Sequence, residues 1–249
     1  MPVFIPGLSE TAIGEAAWSP DGSRLALVAG PARHVHARAG DGDLYVVNSD
    51  GSDLQQLTSH ANSSSPTWSP NGRRLAFVRN QGAELVAMRV DGSGARVIAS
   101  AKHYYQWPSW SADGKWIAFQ SRPDRGSSEQ VATFIVKPDG RDIRQLTPGT
   151  SSEGFPAWSP HGSTIALSAA ERLWVMEADG SDPRQITHCR LPCVADFAPT
   201  WSPNGEHIAF LRQEAGGGAV RLYRLDLATS RVTRLTPQLH WVGDPSWRP

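Results

Sequence analysis

The 249-residue chain has no net charge, since 24 Lys and Arg are balanced by 24 Asp and Glu. That balance removes the sequence-independent attraction to phosphate on which nucleic-acid binders depend, so no nucleic-acid partner is expected. No run of about 18 apolar residues occurs, which excludes a membrane-spanning helix. The opening residues, MPVFIPGLSE, have neither a basic start nor a long apolar stretch, and no secretory signal peptide is expected in this chain. Cysteine is scarce, with only Cys189 and Cys193 present. Two thiols cannot build a disulfide scaffold or a four-thiolate metal site. They are compatible with one loop disulfide in an oxidising compartment and equally with two reduced thiols in a cytosolic one. With 19% charged and 39% hydrophobic residues, the chain has material for a core and none of the charge excess of a disordered segment.

What is abundant is tryptophan, with 10 Trp against 4 Tyr and 7 Phe, alongside 23 Gly and 19 Pro. Six of the tryptophans share one frame: Trp18 in AAWSPDG, Trp68 in PTWSPNG, Trp110 in PSWSADG, Trp158 in PAWSPHG, Trp201 in PTWSPNG and Trp247 in PSWRP, at spacings of 42 to 50 residues. Each full copy continues through a DG, NG or HG turn into an apolar run such as RLAFV (Arg74 to Val78) or HIAFL (His207 to Leu211). A second β-rich run follows, for example DLYVVN from Asp43 or RLWVME from Arg172, and then a closing strand such as IRQLT ending at Thr147. Four short strands joined by tight turns read as an antiparallel meander. Such a sheet cannot bury both faces alone, and radial stacking of repeats of this length gives a β-propeller.

The string P-x-W-S-P-D-G-x-x-I-A-F, followed by L-Y-V-M-x-x-D-G and then L-T, resembles the TolB-type propeller repeat, a WD-like repeat also found in prolyl-oligopeptidase-like peptidases and oligogalacturonate lyases. The resemblance covers nearly the whole chain. The expected fold is all-β, a propeller of five complete four-stranded blades at about 16–58, 66–100, 108–147, 156–187 and 199–236, in a single domain over 1–249. Segments 1–15 and 237–249 are expected to supply partial closing strands. The ring is then five-bladed or an incomplete six-bladed one, and the chain a monomer or an oligomer whose copies complete each other's strands.

Most repeated residues read as structure. The frame Trp is expected to pack between blades, and Ser-Pro-Asp-Gly to form the first hairpin. The Asp-Gly pairs at 50, 91, 139 and 179 lack the alternating carboxylates of a calcium loop and read as turns. Antiparallel order puts the variable loops, second-to-third strand and blade-to-blade, on one face of the disc, where binding is usually built. His34, His36, His60, His103, His188 and His240 fall there. Of these, His60, His103, His188 and His240 could meet Glu153, Asp196 and Asp244 at the axial funnel, either as divalent-metal ligands or as solvated or pH-sensitive loop residues. Tyr104, Tyr105, Trp107 and Trp241 enrich the same loops in aromatics, for contact with a partner or for packing of the loops onto neighbouring blades.

Neither a G-x-S-x-G elbow, nor a P-loop, nor a dinucleotide fingerprint is present. Two functions stay in competition. One is a non-enzymatic scaffold, similar to TolB-type propellers, that binds a protein or peptide on its loop-rich face without a cofactor. The resemblance implies a periplasmic or other extracytoplasmic setting for it. The other is a metal-dependent lyase or hydrolase acting on an acidic sugar, with Arg33, Arg38, Arg122 or Arg125 binding carboxylates.

Overall fold

The structure, a computed structural model, describes residues 7–8, 11–31, 42–60, 63–100, 104–122, 131–150, 153–188, 193–215, 220–237 and 245–247. Among these there is no helix, and twenty strands form five antiparallel sheets, each in simple sequence order. The first blade is β1 (Thr11–Trp18), β2 (Arg24–Pro31), β3 (Asp43–Asn48) and β4 (Gln55–Gln56). The second is β5 (Ser64–Trp68), β6 (Arg74–Arg79), β7 (Glu84–Arg89) and β8 (Arg96–Ser100), and the third is β9 (Tyr104–Trp110), β10 (Ile117–Arg122), β11 (Ala132–Val136) and β12 (Arg144–Gln145). The fourth is β13 (Gly154–Trp158), β14 (Thr164–Ala169), β15 (Arg172–Glu177) and β16 (Arg184–Gln185). The fifth is β17 (Cys193–Trp201), β18 (His207–Glu214), β19 (Val220–Asp226) and β20 (Val232–Arg234).

The repeat motif works through its hydroxyls. Ser19 Oγ donates to Asp21 at 2.7 Å and accepts the Arg24 N–H at 2.9 Å, tying the hairpin to the start of β2. Ser69 with Asn71, Ser111 with Asp113 and Ser202 with Asn204 repeat the arrangement. The fourth strands are short, and the Thr of each L-T or I-T pair extends their pairing. Thr58, Thr147, Thr187 and Thr236 accept the N–H of Leu44, Thr133, Leu173 and Leu222 at 2.8–3.1 Å. The Asp-Gly turns also touch the preceding blade: a Cβ on Gly180, at φ +88, would stand 3.0 Å from the Leu146 carbonyl oxygen. Only glycine meets both demands there.

The core lies between blades. Val28, Leu44 and Val46 of the first blade bury against Trp68, Leu75, Phe77 and Met88 of the second, and equivalent clusters join the later pairs. Trp68, Trp110 and Trp158 are buried in these clusters, as the repeat predicts. The inner strands touch in succession, β1 with β5, β5 with β9, β9 with β13 and β13 with β17. Between β17 and β1 the next inner position is held by residues 245–247. The Trp247 indole donates to the Thr200 carbonyl at 3.1 Å, as Trp68 does to Ala17 and Trp201 to Ala157. Leu8 packs on Leu27, Ala29 and Val47 of the first blade. The inner strands start upstream of the expected blade boundaries, and residues 11–15, expected in a closing segment, belong to β1.

Candidate functional site

Counting from the frame Trp as position zero, the inner strands repeat one scheme along the axis. Position −5 is a clasp. The N–H groups of Ser63, Tyr105, Glu153 and Asp196 donate to the carbonyls of Gly42, Gly82, Val131 and Glu171 in the preceding blade, at 2.8–3.2 Å. All four residues are at most 5% exposed. Ile13, at the same position in the first blade, is 48% exposed. Position −3 carries a left-handed backbone at Ser65, Trp107, Phe155 and Ala198, with φ between 49° and 54°. A register shift interrupts the pairing of the inner strand at each of these places. Such a φ is costly for bulky side chains, and here the bulge re-aims each of them. Pro66, Pro108, Pro156 and Pro199 follow at position −2, on a strand edge where the missing N–H is not needed, and Pro245 stands at the same count before Trp247.

Positions −3 and −2 of the second to fifth inner strands, together with Ala16 and Ala17 of the first and with Pro245 and Ser246, wall an axial channel of about 170 Å³. Chain direction puts the −3 level toward the loop-rich face. On that side Trp107 stacks on Phe155 with centroids 3.7 Å apart, and Phe197 lies 5.9 Å from Phe155. Glu15 holds position −3 in the first blade. Its carboxylate accepts the backbone N–H of Ser65, and burial pushes its pKa up. Glu15 belongs to no motif, and its one signal in the sequence is its count from Trp18.

The residues expected in inter-blade loops are largely in strands. Tyr104, Tyr105 and Trp107 belong to β9 and Asp196 to β17, while Glu153 directly precedes β13. Bulges make this possible: a strand interrupted by one lacks clean alternation and reads as loop. Tyr104 rests against Gly82, where a Cβ would come within 2.1 Å of its ring, and Arg122 of β10 covers it at 4.5 Å. Tyr105 is buried edge-on to Phe119. Of the four aromatics expected on this face, Trp107 is the one on the channel wall, and Trp241 lies outside the described residues.

Asp196 does not stand free in a funnel. It takes two hydrogen bonds from Arg212, at 2.6 and 2.9 Å, with its side chain wholly buried. Glu153 accepts from Thr150. His188 is paired with Gln185 at 3.1 Å, and His60 is exposed at φ 101°, beside a 480 Å³ groove between the first two blades. Among the described residues no three His, Cys, Asp or Glu side chains are grouped to hold a metal. His34, His36, His103, His240, Asp244, Arg33, Arg38, Arg125 and Cys189 lie outside the described residues. Cys193 is disulfide-bonded.

Radially stacked four-stranded sheets around an axial channel define a β-propeller. A model of the TolB β-propeller domain matches residues 9–189, and the chain belongs to that family. The Tol-Pal system protein TolB of Anaeromyxobacter dehalogenans is 34% identical over 123 residues, which are 47% of this chain and 26% of that protein. An uncharacterized protein of Agrobacterium fabrum is 23% identical over 146 residues, 54% of this chain and 48% of that one. The matched segments thus span at most about half the length of these relatives. Among solved structures, a TolB candidate from Agrobacterium tumefaciens superposes with a TM-score of 0.73 at 21% identity, covering 90% of this chain and 80% of that one. An oligogalacturonate lyase in complex with manganese gives 0.66 at 17%, covering 89% and 64%. At these identities the likeness is one of fold.

Proposed function

We propose that the protein is a non-enzymatic interaction scaffold that engages a protein or peptide partner on the loop-rich face, around the axial channel. The observation that carries this reading is the wall of that channel. Among the described residues its lining is proline, small residues and the aromatics Trp107 and Phe155, with no Lys or Arg. Aromatic anchors set in a rigid frame suit the recognition of a partner chain. Among the described residues the wall offers an acidic sugar no cation. The channel is also smaller than the 300–1,000 Å³ typical of small-molecule sites. Asp196, which a metal site would have needed, is occupied by Arg212.

The family relation to TolB, named in its relatives as part of the Tol-Pal system, supports a partner of that kind and an extracytoplasmic setting. A disulfide at Cys193 suits an oxidising compartment. The test is capture of partners from cell-envelope extract by immobilised protein, comparing wild type with Trp107→Ser on the channel wall and Asn71→Ala in a hairpin of the opposite face. Capture lost with Trp107→Ser and kept with Asn71→Ala is the expected result. Equal capture by all three, or manganese-dependent cleavage of oligogalacturonate by the purified protein, would overturn the reading.

A further inference from the structure

On the face opposite the variable loops, the hairpins of the second and third blades enclose a pocket of about 460 Å³. Its walls include Pro70, Asn71 and Arg74 of the second blade and Trp110, Asp113 and Pro138 of the third, and it shares no lining residue with the axial channel. Arg74 starts β6, six places after Trp68, and Arg24 holds the same place in the first blade. There the donors are used. The Arg24 guanidinium lies over the Trp68 ring at 5.0 Å and donates to the Gly72 carbonyl at 3.1 Å, while the Trp68 indole donates to Ala17. One interface further on, the same donors are unused. Among the described residues neither the Arg74 Nε–H nor the Trp110 indole N–H meets an acceptor, and both atoms are buried. No carboxylate among those residues pairs with Arg74.

A buried donor without a partner has lost its bonds to water for nothing, and for a charged group the loss is larger. A ligand that removes that cost carries acceptor oxygens and negative charge. The rest of the wall narrows the choice. The Asn71 side-chain carbonyl accepts from Ser69 Oγ and the Arg73 N–H, at 2.8 and 3.1 Å, which leaves its NH2 group as a further donor. Asp113 is already engaged by the Lys115 N–H, Ser111 Oγ and the Lys115 ammonium. Bonds from the Lys115 N–H and Ser111 hold its pKa low, so it keeps its charge and disfavours a dianion beside it more than a monoanion. Pro70, Pro138 and the Trp110 ring supply apolar surface, and the volume lies within the roughly 300–1,000 Å³ of small-molecule sites. The next interface repeats the open indole at Trp158, but Trp116 stands there in the place of Arg74 and brings no charge.

From this cluster of unused donors we infer that the pocket binds a small monocarboxylate with an apolar body, its carboxylate on Arg74 and its body against Pro70, Pro138 and the Trp110 ring. Arg74 supplies a charge and a planar fork that match a carboxylate. Asn71 and Trp110 add neutral donors to the same wall. The site is separate from the axial channel, so it neither needs nor supports the scaffold reading.

The probes are benzoate, its neutral counterpart benzamide, and inorganic phosphate, titrated against the whole chain by ligand-observed NMR. Benzoate should saturate, with benzamide about tenfold weaker or more, the loss expected when a charge-assisted bond is removed. Phosphate, with more charge and no apolar body, should also bind more weakly than benzoate. This comparison is made on the wild-type chain and needs no variant to fold. Arg74→Gln should lower benzoate binding to the benzamide level, and Arg74→Lys, which keeps the charge but not the fork, should fall between. Arg24→Gln is the control, because that guanidinium is already engaged, and it should bind benzoate as wild type does. A thermal melt of each variant checks that it is folded. No saturation by benzoate, benzamide or phosphate binding as tightly as benzoate, wild-type affinity in Arg74→Gln, or an equal loss in Arg24→Gln would each overturn the site.

Discussion

At the scale of single residues, the turns of this propeller are held by carboxylates that need their charge. Hydrogen bonds from Ser19 and Ser23 pull the Asp21 pKa to about 2. Asp50, Asp91, Asp179 and Asp226 are lowered in the same way by a Ser or Thr hydroxyl two or three places on, and Asp113 chiefly by the Lys115 N–H. Because the folded pKa lies below the unfolded one, the stability these groups contribute is complete above about pH 4 and is lost as pH falls toward 2. Glu15 has the opposite sign. Its pKa is raised by burial, so its contribution is complete below its unfolded value and is lost as pH rises through the folded one. With six turn carboxylates against one, the acid limb of the stability profile belongs to the turns. Asn71 and Asn204 accept the same serine hydroxyl without a charge. The double variant Asp21→Asn, Asp113→Asn should therefore keep the turns but be less stable than wild type at neutral pH, with the gap closing between about pH 4 and pH 2. Urea midpoints across that range measure it, and parallel profiles for the two proteins would refute the argument.

At the scale of strands, the fifth blade contains one charged pair that packing must hold. Asp196 of β17 lies directly opposite Arg212 of β18, and Arg212 also covers the rings of Phe210 and Tyr223 at 5.3 and 4.8 Å. Removing one partner leaves the other charge buried without compensation, whereas an apolar pair can fill the same space. Asp196→Ala should cost about 3–5 kcal/mol, and Asp196→Leu with Arg212→Met should recover most of that loss. Equilibrium denaturation of both variants reads the difference, and equal destabilisation would mean that the charge is not the cause. The fold was legible in the sequence because Trp-Ser-Pro-Asp-Gly and the Leu-Thr ends recur in register with the strands, and each makes a local bond that repeats. The site was less legible. Tyr105, Glu153 and Asp196 carry types common at binding sites, yet their position makes them clasps between blades. The left-handed residue at −3 has no sequence signature, since Ser, Trp, Phe and Ala all adopt it, so the channel wall that Ser65, Trp107, Phe155 and Ala198 share emerges only once the strands are aligned.

At the scale of the whole molecule, the question is what holds the ends of the ring. Among the described residues the strands of each blade meet those of its neighbours in sequence, so stability is a chain of nearest-neighbour interfaces to which ring closure adds a long-range term. Trp247 supplies part of it. Its indole bonds to Thr200 of the fifth blade while Pro245 and Ser246 take a place on the channel wall beside Ala16 and Ala17 of the first. A tryptophan replaced by alanine at a packed interface costs about 3–5 kcal/mol. Half-exposed Trp247 should fall below that range, and the loss should be local to the seam. In Trp247→Ala, amide hydrogen exchange should accelerate first in β1 to β4 and β17 to β20, while β9 to β12 of the third blade, with neighbours on both sides, keep their protection. Trp110→Ala provides the contrast, because it breaks an interior interface and should expose the second and third blades instead. If exchange rises equally in all five blades of Trp247→Ala, the ring unfolds as one unit and the closing segment is no weaker a link than any other.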